Sequence, residues 1–202
     1  MSNKDLDPYT AKAENNNLTL QEKVDGLRKI VKSVKAGMLT TRSPNGALHS
    51  RAMVPAGLSL SPSQVTLCFI ANRVSGKFDE IGNDAHVNVS FYDESSTNWA
   101  SYAGIAKISQ DKEKIEKHWS STTAAWFGDL GDGIHKGDQH DPRVALIEVV
   151  PSEIRYWIAT QGAVGRVVNI ATSAIMGNAA APGELRTITQ DEIKLVHGLE
   201  SK

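Results

Sequence analysis

Between Leu20 and Val34 the apolar residues Leu20, Val24, Leu27, Ile30, Val31 and Val34 return every three or four positions. That spacing places them on one face of a helix. Thr19-Leu20-Gln21-Glu22 reads as a capping box, in which the threonine hydroxyl takes the amide three residues on and the glutamate reaches back. Gly37 reads as the helix stop. Beyond it the period changes to two. Met38 to Arg42 and Ala47 to Val54 flank Ser43-Pro44-Asn45-Gly46. Proline there presets φ and Asn-Gly accepts positive φ, so a hairpin is predicted. Val65 to Ala71 is apolar throughout, as a central strand is, and His86 to Tyr92 alternates, as a half-buried strand does. Ser75 to Ile81 is predicted as a short helix closed by Gly82.

Asp93 to Asn98 is a polar turn, and Trp99 to Ile108 is a long strand rich in small residues. Asp111 to Trp119 is a charged helix. Trp126-Phe127 ends an amphipathic segment before a loop rich in glycine and aspartate, Gly128 to Asp141. Two further strands are predicted, Arg143 to Val150 and Ile154 to Ala159, with Pro151 at the turn between them. The tail holds a helix from Val164 to Met176, a break at Pro182-Gly183 and a last short helix announced by a second capping box, Thr189-Gln190-Asp191-Glu192. About seven strands in the middle, helices at the edges and no βαβ alternation describe a mainly β chain with added helices, an antiparallel barrel or sandwich. The division expected is a disordered polar arm (1–18), a β domain (19–160) and a helical C-terminal extension (161–202).

At 202 residues the chain is long enough for one domain with a continuous core. A net charge of −1 and the lack of any Lys or Arg run point away from nucleic acid and from anionic membranes. Cys68 stands alone in an apolar strand, where it reads as a small buried hydrophobe. The polar N-terminus carries no secretory h-region, and no stretch has the length of a membrane span. A cytoplasmic protein is expected.

No G-x-G-x-x-G, Walker loop, G-x-S-x-G elbow or H-E-x-x-H is present, which removes the common nucleotide, hydrolase and zinc-protease signatures. The loop His135-Lys136-Gly137-Asp138-Gln139-His140-Asp141 has metal-donor types, but a solvated polar loop has the same composition, and no metal site is assigned. A second group is spread over three elements. Arg51 lies on the second strand, Asn72-Arg73 closes the third, and Ser75-Gly76-Lys77 opens the helix after it. A helix start offers free amides, Gly76 allows close approach, Ser75 adds a hydroxyl, and Lys77 and Arg51 add charge. The group suits a phosphate. It equally suits a capped helix with Ser75 as N-cap and solvated cations. Trp99, Trp119, Trp126 and Trp157, with Tyr102 and Tyr156, suit either plain packing or the flanks of a flat ring.

Taken in order, several segments resemble one family. They are Gly37-Met38-Leu39-Thr40-Thr41, Ser50-Arg51-Ala52-Met53, Cys68-Phe69-Ile70-Ala71-Asn72-Arg73, Ser75-Gly76-Lys77, Val87-Asn88-Val89-Ser90-Phe91, Ser101-Tyr102-Ala103-Gly104-Ile105-Ala106, Trp126-Phe127, Asp141-Pro142 and Tyr156-Trp157. Together, from about Thr19 to Ala159, they resemble the FMN-binding split barrels related to pyridoxamine 5'-phosphate oxidase. Within these the chain is similar to the general stress protein 26 group, which includes fungal blue-light-inducible proteins. The tail from Gly165, with Ala181-Pro182-Gly183-Glu184-Leu185-Arg186-Thr187, looks like the extension of the fungal members.

The resemblance implies a six-stranded antiparallel split β-barrel, working as a homodimer with two FMN sites between the chains. Carried over residue by residue, Arg51 and Lys77 would hold the FMN phosphate with Ser75 and Gly76 beside them. Backbone of Ala52, Met53 and Val54, and of Phe69, Ile70 and Ala71, would run along the ribityl chain and ring. Trp99, Ser101 and Trp126 would approach from the partner subunit or the rim. One phosphate favours FMN, with FAD or a deazaflavin as alternatives. The Arg-x-His element of the oxidases is missing from Leu195-Val196-His197-Gly198-Leu199-Glu200, and no terminal strand matching theirs is read there, so pyridoxamine 5'-phosphate oxidase activity is not expected. The function implied is that of an FMN-binding stress-response protein, as an oxidoreductase of unknown substrate. The alternatives are a flavin carrier or sensor and a metal-binding protein.

Overall fold

A computed structural model describes residues 6–15, 17–57 and 64–200. In chain order the elements are α1 Pro8–Ala13, α2 Leu20–Val34, β1 Gly37–Arg42, β2 Leu48–Met53, β3 Leu67–Asn72, α3 Lys77–Asn83, β4 His86–Asp93, β5 Asn98–Ser109, α4 Lys112–His118, β6 Val144–Ala159, α5 Ala163–Met176, β7 Gly183–Ile188 and α6 Gln190–Glu200; a 3-10 helix, Ser121–Trp126, precedes the long loop. Both capping boxes form, at Thr19 with Glu22 and at Thr189 with Glu192. The helix stop differs. Lys35, not Gly37, takes the positive φ after the helix, 63°. Gly37 instead opens β1 at a place where a Cβ would lie 2.8 Å from the Phe91 ring.

Every strand pair is antiparallel, and six strands run in the order β2-β1-β4-β5-β6-β3, with β7 paired to β6 off that path. Period-two patterning decides which face is buried. Leu39, Val89, Tyr102 and Ile154 are neighbours across four strands and all are buried. α2 lays Val24, Leu27, Ile30 and Val31 onto that inner face. The sheet curls until its two ends meet at one point, an isolated bridge between Ala56, just past β2, and Cys68 of β3. The architecture is a mainly β, curled antiparallel sheet with helices, matching the split-barrel expectation.

Four local expectations need correction. Pro151 marks no turn: β6 is one strand of sixteen residues. Its first half pairs with β3 and its second half with β7. Between the halves Ser152 is the extra residue of a bulge, where the register shifts opposite Ala103 and Gly104. Proline is tolerated there because it owes the ladder no N–H. The C-terminal extension is not wholly helical, since β7 lies within it. The N-terminal arm is ordered from Asp7 to Asn15, because α1 docks Ala13 against Trp157 and Leu185; residues 1–5 and 16 of that arm lie outside the described residues. Finally, α3 starts at Lys77 with Gly76 as N-cap and no side-chain cap, so Ser75 is not the cap. Among the described residues no helix is long and apolar enough to cross a membrane.

Candidate functional site

β2 and β3 are the two ends of the sheet path, so each has an edge without a ladder partner. Continuing the antiparallel register from Ala56–Cys68 would set Val54 against Ile70 and Ala52 against Asn72. Those pairs do not form. Among the described residues the Ala56 N–H to Cys68 carbonyl bond, 2.7 Å, is the backbone link between the two edges. From that bridge the edges part into a split lined with unspent N–H and C=O groups, which must find partners in water or a ligand.

At the open end stand Arg51 of β2 and the turn Asn72–Lys77 after β3. Lys77 Nζ donates to Ser75 Oγ, and Ser75 Oγ donates to the Asn72 carbonyl at 2.7 Å. Burial first, then the charge of Arg51, pushes the Lys77 ammonium below its ordinary pKa. Two cations that feel each other across a half-buried mouth are both relieved by an anion placed between them. Gly76 leaves the approach open, since a Cβ there would meet nothing within 4 Å. With only seven residues, α3 adds little dipole, and the cationic side chains carry the attraction.

Arg51 is held from behind. Its Nη2 donates to Glu80 Oε2 at 2.7 Å, and its Nη1 donates to the Thr41 hydroxyl and, at 3.4 Å, to the Leu39 carbonyl. Glu80 also takes His49 Nδ1 and the Thr41 hydroxyl. The bonds from His49 and Thr41 hold the Glu80 carboxyl down at about 2. Guanidinium has five N–H donors, so Arg51 keeps some for a ligand while Glu80 and Thr41 fix its plane. Sequence reading missed Thr41, His49 and Glu80. The signal was present: Thr41 and His49 are cross-strand partners, as are Leu39 and Arg51, and Glu80 lies one helical turn beyond Lys77.

Other expected residues fall into two groups. Ala52 and Val54 are exposed on the split, and Met53 packs against the core. Phe69 and Ala71 bury their side chains, while Ile70 packs beside Cys68 and Leu146. For these three only the backbone faces the split. Trp99 and Ser101 are elsewhere, on the outer face of β5. Three strand spacings separate β5 from β2, about 14 Å, so one chain does not bring them to Arg51. Trp126, 84% exposed, ends the 3-10 helix. One chain therefore keeps Trp99 and Ser101 apart from the Arg51 and Lys77 group.

The loop with His135 and His140 spends its donors internally. His135 Nδ1 lies 2.5 Å from Asp132 Oδ2, the His140 backbone N–H donates to Asp138, and His140 Nε2 lies 3.4 Å from Gln139 Nε2. Among the described residues no group of three or more His, Cys, Asp or Glu gathers as a metal site. Burial raises the Cys68 thiol to about 11, which makes it inert.

Asp141 anchors this loop. It accepts the Gly137 N–H at 2.8 Å and two bonds from the Arg143 guanidinium, at 2.7 and 3.0 Å. These bonds, that of Arg143 first, hold its carboxyl well below the ordinary range. A depressed carboxylate stabilises the fold above its unfolded pKa and loses that contribution only as pH falls toward the folded value. Arg143→Met strands a buried anion, so Tm is expected to drop by roughly 5 °C or more at pH 7. The stranded carboxyl then takes up a proton in mild acid, so the gap from wild type narrows at pH 4. Melts at both pH values check this, and a gap that widens in acid would refute it.

Residues 22–181 match the family model described as pyridoxamine 5'-phosphate oxidase like. The chain is 38% identical to protein bli-3 of Neurospora crassa over 193 residues, which covers 95% of this chain and 91% of that protein. Among solved structures, a putative general stress protein 26 from Jannaschia sp. aligns with a TM-score of 0.59 at 20% identity, over 84% of this chain and 99% of that one. A pyridoxamine 5'-phosphate oxidase-related, FMN-binding protein from Nostoc punctiforme aligns with a TM-score of 0.52 at 15% identity, over 68% of this chain and 81% of that one. At such identities the two structures speak for the fold alone.

Proposed function

The chain belongs to the pyridoxamine 5'-phosphate oxidase-like family, and from that premise we propose that it binds a flavin, FMN, at the split between β2 and β3. The observation that carries this reading is the mutual placement of Arg51 and Lys77 at the open end of two unpaired strand edges. A phosphate fits there by charge and by its need for several N–H and O–H donors. Arg51, Ser75 and Lys77 hold the phosphate, and the free backbone of Ala52 to Val54 and of Phe69 to Ala71 offers hydrogen bonds to a polar chain and ring edge. The FMN-binding relative of the same fold supports the choice of cofactor.

When bound, a flavin supplies hydride or single-electron chemistry; the protein sets binding, access and potential. In this chain Glu80 and Thr41 orient Arg51, and Ser75 positions the Lys77 ammonium. A second copy completes the site. Trp99 and Ser101 stand too far from the cradle to serve their own chain's flavin, so they serve the neighbour's, and Trp126, next to Phe127 that packs on Cys68 of β3, stands at the rim. A pair of chains also covers the edge strands.

One experiment tests both parts. Full-length protein is incubated with FMN, desalted and run on size exclusion with light scattering and visible absorbance. The expected peak has the mass of two 21.8 kDa chains and carries flavin bands at one per chain. A peak without flavin overturns the cofactor reading, and a flavin-bearing single chain overturns the shared site.

A further inference from the structure

On the outer face of the sheet Trp99 of β5 lies opposite Trp157 of β6, and Ser101 lies opposite Arg155. Two residues along a strand is a shift of about 6.6 Å on one face, so a pair of indoles stands beside a hydroxyl and a guanidinium. α1 crosses over them. Tyr9 stacks on Trp157 with ring centroids 5.6 Å apart and planes 17° from parallel. Together these groups line a pocket of about 330 Å³. Its floor is fixed, because Trp157 packs with Ala13 and Leu185 in a small buried cluster. Its roof is tied on: the Asn15 N–H donates to the Leu185 carbonyl at 3.0 Å, and Lys12 Nζ donates to the Ala179 carbonyl at 3.1 Å.

Packing accounts for the indoles and the tyrosine. It does not account for Arg155, which is exposed at the pocket and whose guanidinium, among the described residues, makes no hydrogen bond or ion pair. A ligand that satisfies both ends has a flat ring for the indoles and an anionic group for the guanidinium fork. The volume lies at the small end of ligand pockets, too small for a dinucleotide.

We propose that this pocket binds a small aromatic acid of one or two rings, with its carboxylate on Arg155 and Ser101 and its ring against Trp99 and Trp157. The site is distinct from the phosphate cradle, since Arg51 aligns with the inner-face row of Leu39, Val89 and Tyr102, whereas Ser101 aligns with Ser90, Met38 and Ala52 on the outer face. It is complete within one chain, so it does not need the flavin reading. If a neighbouring chain brings its flavin to this face, Trp99 and Ser101 would be shared between the two ligands, and the acid would lie beside the ring in the place of a redox substrate.

The test is calorimetric titration of the full-length protein with three probes: indole-3-acetate (ring and charge), indole (ring alone) and acetate (charge alone). Indole-3-acetate is expected to bind at least about tenfold tighter than either fragment. Arg155→Met should remove that advantage while indole binding stays unchanged, and Tyr9→Ala should weaken both ring-bearing probes. Equal affinity for all three probes, or an Arg155→Met variant that binds indole-3-acetate as the wild type does, overturns the proposal. Flavin retention measured on the same samples separates the two sites. Wild type that takes the acid but no FMN fails only the cofactor reading, and Arg155→Met that keeps FMN while losing the acid supports the pocket.

Discussion

Gly104→Ala is expected to lower Tm by about 10 °C or more, a large loss for the addition of one methyl group. The reason lies in the bulge. β5 and β6 form the longest strand pair in the molecule, and their register shifts where Gly104 faces Pro151. A Cβ on Gly104 would run into the Val150 carbonyl oxygen and sit 2.8 Å from Pro151 Cα. Both are backbone atoms of the strand that carries β3 on one half and β7 on the other, so neither can swing aside as a side chain would. The strands must part, and with them the pairing that holds both halves of β6. Gly82→Ala is the control. Gly82 lies inside α3 with open space around it, and alanine there should stabilise the protein by about 0.4–1 kcal/mol through the unfolded chain and helix propensity. Thermal melts of both variants decide the matter. If Gly104→Ala melts with the wild type, the close approach of β5 and β6 is not as described.

The same bulge explains one limit of reading this fold from its sequence. Pro151-Ser152 has the composition of a turn, and only the glycine across the sheet reveals that the chain runs straight on. Periodicity located α2 and β4 because each has an apolar face of its own, and the Pro-Asn-Gly turn located the β1–β2 hairpin. Periodicity missed α1, whose one buried residue is Ala13, and β7, whose buried Leu185 and Ile188 break the period of two. Tyr9 and Ala13 become meaningful only against Trp157 and Leu185, and β7 exists because the second half of β6 offers it an edge. Arg51, Ser75 and Lys77 were legible as a cluster because strand ends and turns collect at one mouth in a curled sheet. The rows that face them were not. Thr41, His49 and Glu80 enter through cross-strand register and one helical turn, and register cannot be read before the strands are paired. Arg155 carried no signal at all: an exposed arginine on an alternating strand is ordinary until two indoles and a serine are found around it.

The second large effect concerns the cradle. Arg51→Ala combined with Lys77→Met is expected to weaken FMN binding by about 10²–10⁴-fold, since each charge-assisted contact contributes about 1.5–3 kcal/mol. Riboflavin makes the measurement specific. It has the ring and the ribityl chain but no phosphate, so wild type and double variant should bind it equally. A loss that also appears with riboflavin would mean that the variant damages the split itself, while an unchanged FMN affinity would mean that the phosphate lies elsewhere. The single variants divide the role. Lys77→Met removes a charge that burial and Arg51 already destabilise, and its loss leaves no carboxylate stranded. Arg51→Ala also releases Glu80, which then relies on His49 and Thr41, so its effect on FMN must be compared at matched stability. The pH dependence follows from the same charge. Lys77 loses its proton below the usual lysine range, so FMN affinity should fall as pH rises through that lowered value, and riboflavin affinity should not. Lys77→Met removes that dependence. A pH profile in which FMN and riboflavin decline together would place the titrating group in the ring's surroundings and not at the phosphate.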